Sequence, residues 1–211
     1  MPRPARSAET DSRERLLRAG LVLARRSGLK ALTVRAVAAK ADANLGSFVH
    51  HFGTRDAYLE ALIERWYAPL MAKLQLSVDG ARDPRDALRR VLLQLVRWLI
   101  DNRNFLAHLV VDAGAGEAAA RRFMRTLDQR HPAMLLALIA QAQQAGLLRR
   151  AEPLHQLLFL MSTLAAPVLM FHLLGSSGAL PAAFARAVSV FVNQLPQVET
   201  RLDWALRGLA P

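Results

Sequence analysis

Residues 33–56 read TVRAVAAKADANLGSFVHHFGTRD, and the rest of the chain is best read outward from this stretch. Thr33 precedes an apolar-periodic run, Val34, Val37 and Ala38, where a side-chain oxygen can cap a helix N-terminus. Leu32 just before it and Val37 just inside can close as a hydrophobic staple. The pattern predicts a short helix to about Lys40 and a tight turn over Ala41-Asp42-Ala43. A cap at Asn44 then opens a second short helix from Leu45 to His51, broken by Gly53. Thr54 can cap a long helix reaching about Leu76, with Asp56 in its first turn, where a negative charge suits the helix dipole, and a kink at Pro69. Upstream, Arg13 to Arg26 reads as a supporting helix with Leu16, Leu17, Gly20, Leu23 and Ala24 along one face and Gly28 at its C-terminal cap.

Two short helices joined by a three-residue turn behind a supporting helix make a helix-turn-helix arrangement. The first of the pair must brace the second, and the second must offer small or polar side chains to a major groove. Val34, Val37, Ala38 and Phe48 can bury, whereas Arg35, Asn44, Ser47, His50 and His51 can face outward. Charge agrees with this division. The chain carries 28 Lys and Arg against 17 Asp and Glu, and residues 1–55 alone hold 11 basic and 4 acidic side chains, a net +7. Phosphate backbones attract such a segment by Coulomb forces and by counterion release.

Composition excludes several classes. With 211 residues, 53% hydrophobic and 21% charged, the chain can bury a real core and is too apolar for a disordered protein. It has no cysteine, so no disulfide and no thiolate ligand or nucleophile. The start, MPRPARSAETDSRERLL, lacks the apolar run of a secretory signal, which leads us to expect a cytoplasmic protein. There is no Gly-rich phosphate loop, no G-x-S-x-G and no H-E-x-x-H, so no enzyme and no cofactor is expected. His108 and Asp112 share a helical face, but a zinc site needs three or four ligands and no third is in view, so no metal is expected.

Strand signals are nearly absent, and helical periodicity continues to the end. Further helices are expected after Asp83-Pro84 to about Asn102, then at 104–112, 117–144, 153–174, 181–195 and 197–207, about nine in all. The fold class is therefore all-α, with an N-terminal helix-turn-helix domain over 1–55 and a larger helical domain over 56–211. Residues 153–185 contain no Asp, Glu, Lys or Arg. Pro167, Gln156, Ser162, Thr163 and His172 interrupt the run and arginines flank it, so a helix buried on most faces is favoured over a membrane span.

Thr33-Val34-Arg35-Ala36-Val37-Ala38, Gly46-Ser47-Phe48-Val49-His50-His51-Phe52 and Thr54-Arg55-Asp56 together resemble the TetR/AcrR family of transcriptional regulators, whose signature runs T-x-R-x-[IV]-A … G-x-[LF]-Y-x-H-F … S-K-E. The resemblance covers about residues 12–60; the remainder agrees in helical character and length. It implies that Thr33 contacts a phosphate, that Arg35 meets a base edge or phosphate, and that Asn44 and Ser47 lie at the groove-facing start of the recognition helix. It further implies that His51 and Arg55 grip the DNA backbone, with His50 also outward. Two positions depart from the pattern. The usual tyrosine is Val49, and the usual turn glycine is Asp42, which tolerates left-handed geometry but brings a negative charge near DNA.

The same resemblance implies a homodimer on a palindromic operator, assembled through a four-helix bundle for which residues 153–195 are the candidates. It also implies release by a small effector that prefers a dimer with wrongly spaced recognition helices. Trp66, Trp98, Phe105, His108, Phe123, Met124, Met161 and Met170, together with Phe159 and Phe171, are the expected surroundings of a partly apolar effector, with His108 or His172 as polar handles. The alternative is a helical small-molecule-binding protein whose DNA-binding head is degenerate, given Val49 and Asp42.

Overall fold

The computed structural model describes residues 5–176 and 180–211. In chain order the helices are α1 (Ala5–Ser27), α2 (Val34–Lys40), α3 (Leu45–Phe52), α4 (Arg55–Asp79), α5 (Pro84–Gly114), α6 (Ala118–Arg125), α7 (His131–Gln144), α8 (Pro153–Ser176), α9 (Ala182–Asn193) and α10 (Leu195–Gly208). One 3₁₀ turn, Leu127–Gln129, precedes α7, and there is no strand among the described residues. The fold is all-α, as the periodicity predicts.

Three boundaries differ from expectation. First, α1 starts at Ala5, not near Arg13. Second, no break occurs near residue 103, and α5 runs unbroken for 31 residues. There the Asn102 amide donates to the Trp98 carbonyl at 2.8 Å and Arg103 to the Ile100 carbonyl at 2.7 Å, so both polar side chains bond back onto their own helix. Third, the helix expected over 117–144 is cut in two. Pro132 lacks an N–H and fits in a first turn, so α7 begins beside it.

The chain forms two compact units. The first comprises the N-terminal residues through Pro69 together with Asn104–Thr126, and the second comprises Leu70–Arg103 and Leu127–Pro211. The helix-turn-helix segment thus shares its unit with the first part of α4, the end of α5 and α6.

In the first unit, Leu16, Leu17, Val37, Phe48, Tyr58, Leu59 and Leu62 are buried together with the α5 and α6 residues Phe105, Leu109 and Phe123. Tyr58 donates its hydroxyl to the Leu16 carbonyl at 2.9 Å, and burial holds this phenol well above its ordinary pKa. Gly20 makes room for it, because a Cβ there would lie 1.8 Å from the Tyr58 oxygen. Trp66 packs on Phe105 at 4.4 Å between ring centroids, and Tyr67 on Phe123 at 5.2 Å.

In the second unit, Leu88, Leu92, Leu138, Ile139, Leu157, Leu160, Leu164, Val168 and Leu202 are buried. Gln156 is buried as well, and its amide is satisfied by the Arg149 carbonyl at 2.8 Å and by Gln143 at 3.1 Å. Pro167 stands inside α8 and, lacking an N–H, leaves the Thr163 carbonyl without its helical donor. Arg201 of α10 approaches that carbonyl at 3.4 Å, and partial burial lowers its pKa.

By length and composition α8 is apolar enough to cross a membrane. One of its faces lies in the core of the second unit. The opposite face, stepping by four residues through Leu154, Leu158, Ser162, Ala166, Met170 and Leu174, is exposed, as are Phe184 and Phe191 of α9.

Candidate nucleic-acid interface

Local chemistry sets the helix-turn-helix. The Thr33 hydroxyl oxygen accepts from Ala36 N at 3.2 Å and caps α2, and the Asn44 Oδ1 accepts from Ser47 N at 2.7 Å and caps α3. Thr54 repeats the device on α4 through Ala57 N at 3.1 Å. Each capping oxygen answers an N–H that the first turn of a helix leaves unpaired. Asp42 takes φ of 50°, the one non-glycine residue with positive φ among the described residues, so it turns the chain as a glycine would.

Val37, Ala38 and Phe48 bury as the sequence predicts, and Phe48 packs on Tyr58 with centroids 4.9 Å apart. The outward surface holds Thr33, Arg35 and Lys40 on α2 and its cap, then Asn44, Leu45, Gly46, Val49 and His50 on α3 and its cap. With their oxygens used as caps, the Thr33 hydroxyl and the Asn44 amide NH₂ still have protons to donate outward. Val49 is 58% exposed, so the departure from tyrosine leaves an apolar group on the surface of the second helix. Such a group can meet a thymine methyl but cannot donate to a phosphate.

Two predicted contacts are placed otherwise. Ser47 is half-buried, and its hydroxyl lies 2.7 Å from that of Ser12, which ties α3 to α1. Arg55 does not project as a free cation. Its Nε donates to the Leu32 carbonyl at 2.9 Å, and its Nη2 donates to the Leu29 carbonyl at 2.8 Å. Nη1 and Nη2 both reach Glu117 Oε2 at 3.1 Å. In the turn between α1 and α2, Arg55 gives the Leu32 carbonyl a donor and the Leu29 carbonyl a second one beside Leu32 N at 3.0 Å. His51 is half-buried, with its ring beside those of His50 and Phe52.

The reading of the sequence missed the acids that complete this turn. Asp112 is 7% exposed, and its Oδ2 accepts from Leu29 N at 2.6 Å and from Lys30 N at 3.4 Å. Gly28, at φ of 78°, lets it approach, since a Cβ there would sit 2.7 Å from that oxygen. Residues 28–32 are therefore clasped twice, their N–H groups by Asp112 and their carbonyls by Arg55 on Glu117. A lone acid in the apolar run Leu109-Val110-Val111-Asp112 was the available signal. Arg122 adds surface pairs to Asp56 at 3.7 Å and to Glu60.

Further cations border the head. Arg15, Arg18 and Lys40, with Ala19, Val22 and Ala41, line a hollow of about 340 Å³ in the same unit.

The expected effector-lining residues are not gathered in one unit. Trp66, Phe105, His108, Phe123 and Met124 belong to the first, where the three buried aromatic rings pack on one another or on Tyr67. Trp98, Met161 and Met170 belong to the second. Trp98 lines an open groove beside Lys73, Arg90 and Arg97, while Met170 is 56% exposed on the outer stripe of α8.

Comparison with known proteins agrees with this geometry. Residues 16–62 match the bacterial regulatory proteins of the tetR family. The HTH-type transcriptional repressor NemR of Escherichia coli K12 is 27% identical over 139 residues, 65% of this chain and 70% of that protein. The HTH-type nicotine-responsive transcriptional repressor HdnoR of Paenarthrobacter nicotinovorans is 27% identical over 107 residues, 50% of this chain and 55% of that protein. Among solved structures, the ketosteroid transcriptional regulator KstR2 of Mycobacterium tuberculosis shares the fold with a TM-score of 0.63 at 17% identity, over 94% of this chain and 95% of that one. Residues 16–62 of this chain are thus similar to the DNA-binding segment of the tetR family of bacterial regulatory proteins, and the chain as a whole shares the fold of solved TetR-family regulators.

Proposed function

We propose that the protein is a cytoplasmic, homodimeric repressor that binds a palindromic operator through α2 and α3 and leaves it when a small, partly apolar effector binds. The capped α2–turn–α3 unit, with Arg35, Lys40, Asn44 and His50 outward on a basic segment, carries the reading. In this reading Arg35 reads a base edge, because a guanidinium fork matches the guanine O6 and N7 acceptors. Thr33 and Asn44 donate to phosphates. Arg55 acts indirectly, by holding the turn that precedes α2.

The exposed apolar stripe of α8 and the exposed Phe184 and Phe191 of α9 support a second copy of the chain as partner, in an isologous pairing that doubles the recognition helix. Two copies give two half-sites related by a two-fold axis, hence a palindrome. An effector weakens DNA binding only to the extent that it favours a dimer with a different spacing of the two α3 helices.

A gel-shift titration against the DNA upstream of the protein's own gene, with random competitor and a salt series, tests the reading. A complex that survives competitor supports a sequence-specific repressor. Equal loss on all DNA as salt rises would favour a head that has lost specificity. Arg35→Ala should cost about 1–3 kcal/mol on operator while leaving binding to random DNA little changed.

A further inference from the structure

The second unit contains a small cavity of about 260 Å³ lined by Arg103 of α5, Phe171, His172 and Gly175 of α8, and Ser189 and Asn193 of α9. Its lining has one permanent cation, three polar side chains able to donate, one aromatic wall and no acid. The Arg103 guanidinium makes one hydrogen bond, to the Ile100 carbonyl of its own helix at 2.7 Å, and pairs with no carboxylate among the described residues. Asn193 donates from Nδ2 to Ser189 Oγ at 3.2 Å, while its Oδ1 is buried without a partner. A buried acceptor left unpaired is costly, and such groups concentrate where a ligand or water completes the bonding.

From these observations we infer that this cavity binds a small aromatic or branched carboxylic acid, its carboxylate on Arg103, its ring or branch against Phe171 and a hydroxyl or N–H donor on its far edge, where it carries one, answering Asn193 Oδ1. An unpaired guanidinium presents parallel N–H groups that match a carboxylate two for two. The volume lies just below the range of about 300–1,000 Å³ usual for drug-sized ligands, which limits the occupant to a small molecule. A pocket without an acid rejects an amine and leaves a neutral amide with a weaker partner for Arg103. The inference deepens the proposed function by giving the effector a chemical class, but binding itself is independent of DNA.

The test uses the full chain without DNA. Benzoate is titrated by calorimetry and by thermal shift, against benzamide as its neutral counterpart and inorganic phosphate as an anion without an apolar body. Saturable benzoate binding is expected, with benzamide weaker by about ten- to a hundred-fold, the value of a charge-assisted hydrogen bond. Arg103→Gln should lose a similar factor with an unchanged unliganded melting temperature, and Ser189→Ala should lose less. No saturable benzoate binding, equal binding of benzamide, or phosphate protection equal to that of benzoate would each overturn the assignment. Gel shifts with and without benzoate then separate the two readings. Release of DNA makes the acid the effector, whereas benzoate binding by a protein that never held operator would retain this site and refute the proposed function.

Discussion

Asp112→Ala removes the acceptor that holds the entrance to α2 from inside the first unit. The parent carboxylate takes the Leu29 N–H at 2.6 Å in a position 7% exposed, and Leu29 itself is 1% exposed. Alanine cannot replace that bond, so the loss includes the desolvation of an orphaned donor. Hydrogen bonds to a charged group contribute about 1.5–3 kcal/mol, and an orphaned buried donor costs about 1–3 kcal/mol. These describe the same bond from two sides, so a loss of about 2 kcal/mol is expected. For a chain of this size that lowers the melting temperature by about 4–8 °C. Asp112→Asn keeps an oxygen acceptor and should lose about half as much. Operator affinity should fall with it, because α2 is less firmly held, yet the slope of log K against log salt should not change, since no phosphate contact is lost. Differential scanning calorimetry of the three proteins, with salt-series gel shifts, checks each part. An alanine variant that melts within about 1 °C of the parent, or an asparagine variant worse than alanine, would refute the reasoning.

Arg55→Ala should destabilise the first unit by about 1–3 kcal/mol, because buried carbonyls and Glu117 lose their donor, and should leave the salt slope unaltered; a slope smaller by about one would instead restore Arg55 to the phosphate contacts. Gly20→Ala places a methyl against the Tyr58 hydroxyl, and Tyr58→Phe in the same chain should recover only part of the stability lost, because the ring carbon stays 2.9 Å from the added Cβ; chemical denaturation of the single and double variants can read this. His131 is pushed down to about 4 by burial and by the neighbouring Arg130. The unfolded chain therefore takes up a proton that the folded one refuses between its ordinary value near 6.5 and about 4. Stability contributed by the neutral ring is thus present above pH 6.5 and lost as pH falls through that window. His131→Gln should flatten the decline, and an equally steep decline in the variant would assign it to other groups.

How much of this was legible in the sequence depends on the range of the interactions. Thr33, Asn44 and Thr54 each cap a helix three residues away, and Asp42 takes the left-handed turn the pattern assigned to it; these are local events that residue types and spacing encode directly. The burial of Val37, Ala38 and Phe48 follows from helical periodicity. The bonds of Arg55 inside the fold were not legible because its partner Glu117 is 62 residues away, and nothing near Arg55 announces that its charge is used there. Asp112 was weighed only beside His108, and its bond to Leu29 was not legible because the two residues stand 83 apart in the chain. Asn102 and Asn104 look like helix breakers, yet α5 passes through them because packing outweighs weak propensity. The effector surroundings were chosen for large apolar side chains, which are the residues that also build cores, and Trp66, Phe105 and Phe123 went to the core. The cavity at Arg103 rests on polar residues from three separate helices, a combination with no signature along the chain.

Footprinting on an operator recovered by gel shift reads the geometry of two recognition helices at once. Two protected half-sites related by a dyad are predicted, their centres one helical turn of about 10 base pairs apart or a multiple of it, with the pattern at one base position in each half-site relaxed in Arg35→Ala. Protection of a single unpaired site, or protection that ignores sequence and persists unchanged in Arg35→Ala, would contradict operator reading by a dimer through α3 and its supporting helix.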